Sequence, residues 1–182
     1  FVAADLLSQA EHGRDSQAHA VVLSRDFAER VALEVEMQLN GLPRKDVAEI
    51  SLQHSCIFVV DDVLDAIAIA NRYAAEHLSL QLQQADKYVA HIQHAGSIFV
   101  GPWTPETLGD YVTGSNHVLP TYGYARSFSG LSAQAFMKSI SVQTASREGM
   151  LAVADTAVTL AELEGLGAHA EAVRRRCEAL VK

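Results

Sequence analysis

The chain has 182 residues, 49% of them hydrophobic, enough for one large domain or a domain with a small appendage and too apolar for disorder. A net charge of −8 excludes a general nucleic-acid binder, which needs a basic face. The one basic cluster, Arg174–Arg175–Arg176, reads as a solvated or salt-bridging helix face.

In chain order, "AADLLSQAEH" carries apolar residues at helical spacing and stops at Gly13, a candidate C-cap. "HAVVLS" is a short buried-strand candidate. "RDFAERVALEVEMQLNGL" is an amphipathic helix, with Phe27, Val31, Val35 and Leu39 recurring at i+4 and Gly41 ending it. A shorter helix is expected from Lys45 to Gln53, then the strand "CIFVV", whose Cys56 reads as a core residue. "DDVLDAIAIANRYA" is a helix with an acidic first turn, which suits the helix dipole. "HLSLQL" is a third strand, "ADKYVAHIQ" a helix and "GSIFVG" a fourth strand. The alternation predicts an α/β fold, with a mostly parallel sheet and flanking helices.

Beyond that point the rhythm changes. "TPETLGDYV" predicts a short helix with Thr104 as N-cap and Pro105 in its first position. "TGSNHVLPTYGYARSFSG" is a long loop, the kind of segment that often carries function. The remainder predicts a helix near Ala133 to Met137, a strand "ISVQT", a long helix from about Arg147 to Glu164, and a last helix after Gly167. The division expected is an α/β portion over 1–130 and a mainly helical, dimer-contacting tail over 131–182. Two cysteines, Cys56 and Cys177, make no disulfide framework, so a reducing, cytoplasmic setting is the expectation. No apolar run approaches the roughly 20 residues that span a bilayer, and no signal peptide is visible. The chain opens inside a helical pattern without methionine, so more chain is expected upstream.

Four polar pairs stand out. Gln9 and His12, at i and i+3, are neighbours on one helix face and could share an ion. Spacing alone favours a plain polar helix end, because glutamine is a poor metal ligand. Glu76 and His77 fall where a helix hands over to a strand; only an irregular junction would aim both into one cleft, and the plainer alternative is a helix end followed by a half-buried histidine. Asp110 sits late in its short helix, where the dipole disfavours a carboxylate and a compensating arginine or metal would be welcome, and His117 comes next in the long loop. Glu164 and His169 flank an interhelical turn. The string "GLGAHA" there matches G-x-G-x-x-A but is preceded by no strand, so it is no dinucleotide fingerprint. His19, His54, His91 and His94 have no partner pattern and read as structural or exposed.

Taken together, "LLSQAEHG", "YAAEHL", "GSIFVGPWTPETLGDYVTGSNHVLPTYGYAR" and "LGAHAEAVRRR" resemble histidinol dehydrogenase, in order and spacing, from Phe1 to the end of the chain. The resemblance implies a zinc enzyme that oxidises L-histidinol to histidinal and then to L-histidine, with NAD as acceptor, in the last steps of histidine biosynthesis. It implies Gln9, His12, Asp110 and His169 as zinc ligands, Glu76 and His77 as the acid–base pair, and His117 and Glu164 as substrate contacts. The substrate would thus be met by Gln9, His12, His77, Asp110, His117, Glu164 and His169. It further implies a homodimer in which His169 and Glu164 are given to the partner's site.

The residue types suit that chemistry. One carboxylate and three neutral ligands leave the ion net positive and able to hold an imidazole and an amine. An imidazole suits removal of the alcohol proton, and a neighbouring carboxylate suits activation of the water that hydrates the aldehyde. The resemblance also places the family's NAD-contacting half N-terminal to this segment, so no cofactor-binding residue is expected here. This chain reads as the C-terminal portion, inactive alone, with the N-terminal half as a second chain or a missing segment. The alternatives are a related zinc and NAD dehydrogenase for another small polar alcohol, or a non-catalytic fragment. Intact ligand types and an intact Glu76–His77 pair count against the latter.

Overall fold

The computed structural model describes residues 1–181, which form two compact units, 1–136 and the residues from 137 on. The first unit is α/β. Helix α1 (Val2–Ala10) leads to strand β1 (Ala20–Val22), then α2 (Arg25–Leu39), α3 (Lys45–Leu52) and β2 (Ile57–Val59). Next come helix α4 (Val63–Tyr73), β3 (His77–Leu80), α5 (Asp86–Val89), β4 (Ser97–Val100) and α6 (Glu106–Tyr111). All four strands lie where the apolar runs place them. They pair as two separate parallel ladders, β1 with β2 (Val21 opposite Phe58) and β3 with β4 (Leu78 opposite Ile98), and not as one sheet. With three or four residues apiece, such strands can pair locally without specifying a wider sheet.

Helix starts obey local chemistry. Ser24 accepts from the Phe27 amide at 3.1 Å to cap α2, and Asp62 accepts from Leu64 and Asp65 at 2.7 and 2.9 Å to cap α4. Thr104 does not cap α6. Its hydroxyl donates instead to the Val100 carbonyl at 2.9 Å, and Pro105 occupies the cap position with extended backbone, φ −68° and ψ 155°. Gly13 does not end α1 either. The helix closes at Glu11, still right-handed, which leaves Gln9 on the helix and His12 in the turn after it. Cys56 is exposed rather than core, at the head of a ladder whose Phe58 and Val59 are also open.

Alanines and leucines build the centre of this unit. Ala10, Ala18 and Ala48 are buried and surrounded by Leu6, Leu39 and Leu52, where α1 packs against α2 and α3. The turn after α1 is pinned there by hydroxyls. Ser51 donates to the Ser16 carbonyl at 2.9 Å, and Ser55 accepts from the Ala18 amide at 2.9 Å. The long loop after α6 is tied back by Tyr122, which donates to Asp15 at 2.7 Å, and by the Arg126 guanidinium on the Arg72 carbonyl. His19 is structural: its Nδ1 accepts from the Cys56 amide at 3.0 Å and its ring meets Tyr73 edge-on.

In the second unit, helices α7 (Arg147–Leu163) and α8 (Gly167–Val181) form an antiparallel hairpin. Ser146 caps α7 by accepting from the Gly149 amide at 3.0 Å. Arg174 pairs with Glu162 across the hairpin and Arg175 with Glu171 along α8, so the basic cluster is a salt-bridging face. "ISVQT" is irregular and exposed, not a strand; among the described residues nothing pairs with its backbone.

Two close approaches set the positions of β3, β4 and α6. A Cβ on Gly96 would stand 2.5 Å from the Glu76 carbonyl oxygen, so only glycine lets β4 run against the backbone that enters β3. A Cβ on Gly109 would stand 2.6 Å from Cε1 of Phe99, so glycine seats α6 directly on the ring from β4. Adding a methyl to an open helix stabilises it by about 0.5–1 kcal/mol. Here overpacking opposes that gain, and Gly109→Ala is expected to lower unfolding free energy by about 1–3 kcal/mol in a denaturant titration. A raised midpoint would mean that α6 does not rest on Phe99.

Candidate functional site

Three elements bring polar side chains together. Gln9 comes from the last turn of α1 and His12 from the turn beyond it. Glu76 and His77 come from the irregular entry to β3. Glu106 and Asp110, four residues apart, come from one face of α6. The His77 ring stands between them. Its Nδ1 is 3.0 Å from Gln9 Oε1, so Nδ1–H donates to the amide oxygen. That fixes the tautomer and leaves Nε2 with a free lone pair, 3.8 Å from Asp110 Oδ1.

Glu106 is the residue that sequence reasoning missed. Its Oε1 lies 3.4 Å from His12 Nε2 and 3.5 Å from His77 Nδ1, and the residue is only 7% exposed. One donor atom each from His12, His77 and Glu106 lie within 4.8 Å of one another, close enough to share an ion. His77 Nε2 and Glu106 Oε1 are buried and have no hydrogen-bond partner, which leaves two polar atoms calling for an occupant. Asp5 on α1, held by the Gln81 amide, closes the acidic side of the cluster.

The electrostatics come from burial and like charge. Burial, then Asp110, Glu76 and Asp5, push the Glu106 carboxyl up to about 8. Burial also raises Glu76, with His12 opposing and Asp110 adding to the rise. Burial lowers His77, with Asp110 opposing, so its imidazole is held in the neutral, basic form. Crowded carboxyls, a free imidazole lone pair and an amide oxygen are a donor set that fits a divalent cation. Its charge would relieve the repulsion that raises Glu106 and Glu76.

Of the residues singled out from the sequence, Gln9, His12, Glu76, His77 and Asp110 thus share one neighbourhood. His117 is exposed in the loop, and among the described residues no hydrogen bond or ion pair ties it to the cluster. Glu164 and His169 belong to the second unit, where both are exposed at the turn between α7 and α8. Two residues of the cluster lie one helical turn apart in "PETLGD". That like-charge i, i+4 pair, costly on a free helix, is the signal by which Glu106 could have been found.

The sign of the pH effect is fixed by the direction of the Glu106 shift. Between pH 4.5, its ordinary value, and about 8, the folded form holds a proton that the unfolded chain has released, so stability falls as pH rises through that window. Glu106→Gln removes this dependence. In the metal-free protein, the melting temperature of the variant relative to the parent is expected to climb from pH 4.5 to about 8. A constant difference would show that Glu106 ionises normally.

Residues 1–177 match the family described as histidinol dehydrogenase. The chain is 48% identical over 178 residues to the chloroplastic histidinol dehydrogenase of Arabidopsis thaliana, covering 97% of this chain and 38% of that protein. It is 48% identical over 180 residues to histidinol dehydrogenase of Campylobacter jejuni strain RM1221, covering 99% of this chain and 42% of that one. Among solved structures, histidinol dehydrogenase from Elizabethkingia anophelis superposes with a TM-score of 0.95 at 42% identity, over 100% of this chain and 42% of that one. The chain therefore spans about two fifths of the length of the relatives it matches. With the fold, the long dispersed identities and this superposition in agreement, the chain belongs to the histidinol dehydrogenase family.

Proposed function

We propose that this chain is the metal-binding and acid–base portion of an enzyme that oxidises L-histidinol through histidinal to L-histidine with NAD, in histidine biosynthesis. The observation that carries this reading is His77. Its Nδ1–H is committed to Gln9, and its Nε2 lone pair is buried, unpartnered and held neutral beside an acidic wall. An unpartnered, neutral imidazole nitrogen of this kind supports reading His77 as the base that takes the substrate proton. Gln9, His12 and Asp110 would hold zinc, together with His169 from a second copy of the chain. A bound zinc ion would supply positive charge to hold the imidazole and amine of histidinol.

His77 Nε2 then takes the proton of the alcohol oxygen as the hydride leaves the adjacent carbon. For the second oxidation, Glu76, raised by burial, takes a proton from the water that adds to the aldehyde, and His77 serves again on the hydrate. Asp110, beside Nε2, stabilises the imidazolium that each proton transfer creates. NAD would supply the hydride acceptor. On this reading the NAD-contacting part of the site lies in the remaining family length.

The second unit supports a homodimeric reading. Ile140, Val142, Val153 and Leu163 are all at least 60% exposed, a large apolar area for an uncovered surface. In this arrangement Glu164 and His169 join the cluster of the partner copy, where Glu164 and His117 contact the substrate. Among the described residues, no helix is long and apolar enough to cross a membrane.

His12→Ala is expected to lower bound zinc sharply. His77→Ala should keep zinc and lower turnover of histidinol by at least about 100-fold, measured with the remaining family length supplied. Loss of zinc from His77→Ala would reverse this division of labour. Mixed dimers of His77→Ala with His169→Ala should recover part of the activity that neither variant shows alone. Verified mixed dimers without recovery would place each site within one chain.

A further inference from the structure

We infer that Glu106 is a positioning residue for this site, a single carboxyl group that orients both the His12 and the His77 rings. The inference rests on the proposed function and deepens it. Three observations support it, each a matter of geometry. First, Glu106 Oε1 reaches both rings, His12 Nε2 at 3.4 Å and His77 Nδ1 at 3.5 Å, whereas the two ring centroids are 6.0 Å apart. No other side chain among the described residues stands within ion-pair distance of both. Second, Glu106 is buried while its Oε1 lacks a hydrogen bond, an arrangement that costs stability and that packing alone would answer with an apolar side chain. Third, the support beneath Glu106 is rigid. Gly109, one turn along α6, is pressed against Phe99, whose ring lies 5.8 Å from that of His77, so the carboxyl and the base are set by the same contact.

The role is set by the two rings. His77 already gives its Nδ1–H to Gln9, and the Glu106 carboxyl, 3.5 Å from the same nitrogen, stands in the way of a rotation that would turn Nε2 away from Asp110. His12, with a side chain 43% exposed, has less packing to hold it, and the Glu106 carboxyl stands against its ring, Oε1 3.4 Å from Nε2. Carboxyl groups behind metal-binding or proton-handling histidines typically change metal affinity or activity by about 10–100-fold when removed.

The test compares Glu106→Gln, which keeps size and shape, and Glu106→Ala with the unsubstituted protein, with the remaining family length present. Zinc affinity is read by chelator competition, and kcat and KM for histidinol are read at saturating zinc. In Glu106→Gln, folded by its melting curve, zinc affinity is expected to fall about 10–100-fold and kcat at least about tenfold, with KM moving less than about threefold. Glu106→Ala should show the same split with larger losses. Zinc affinity or kcat remaining within about threefold in Glu106→Gln would overturn the inference. If the unsubstituted protein neither holds zinc nor oxidises histidinol, the functional reading falls. If it does both and Glu106→Gln matches it, only the assignment of Glu106 falls.

Discussion

Everything in the first unit is arranged around a repulsion. Glu76, Glu106 and Asp110 are brought together with Asp5 close behind, in a region where burial already disfavours charge. A fold does not gather carboxyl groups in this way for stability, since each one raises the cost of ionising the next. The arrangement persists because the backbone enforces it. The β3–β4 ladder fixes the entry of Glu76 and His77, and α6 cannot rotate its acidic face away while Gly109 sits on Phe99. Against that cost stands the alanine and leucine packing where α1 meets α2 and α3. Under the proposed function, a positive ion, or a positive charge arising on His77, would turn the same repulsion into attraction.

The histidine at the centre shows how little is left adjustable. It begins a strand whose register with β4 is set, opposite Ser97, and its ring is wedged between the amide of Gln9 and the carboxylate of Asp110. Three elements far apart in sequence therefore act on one imidazole. Tautomer, burial and neighbouring charge all point the same way, toward a neutral ring with its lone pair free. Such agreement between independent local choices is what a built site looks like in physical terms.

Much of this is legible in the sequence, for identifiable reasons. The strands at Ala20, Ile57, His77 and Ser97 and the helix over Arg25–Leu39 show as short apolar runs and a clear i+4 stripe. Strand partners do not show, because runs of three or four residues carry no information about register across a long connection. Hence the alternation implies one sheet where two ladders form. Thr104 reads as a cap because its hydroxyl oxygen could accept from an amide of the first helical turn, but the hydroxyl instead donates to the Val100 carbonyl. "ISVQT" has strand composition but no neighbour to pair with, so β propensity alone does not order it. The polar pairs are found by adjacency, and Glu106 escapes because an acid in a first helical turn looks like ordinary dipole complementarity. The like-charge spacing to Asp110 is the one hint in the sequence, and the burial that separates Glu106 from a solvated glutamate appears only in the fold.

The division of the chain carries a consequence for how the chemistry is distributed. The first unit holds His77, the Gln9 amide that sets its tautomer and the acidic side chains beside it. Glu164 and His169 stand exposed on a separate helical hairpin whose apolar side chains are also open. Under the proposed function, those two residues become useful only when another surface covers the hairpin, so assembly and completion of the metal site would be a single event. Metal binding would then report on assembly, since ligands drawn from two chains are brought together only in the folded, associated state. A site completed in that way is protected against idle chemistry. An unassembled chain would carry a base with nothing to hold its substrate, and oxidation would begin only where all parts of the enzyme meet.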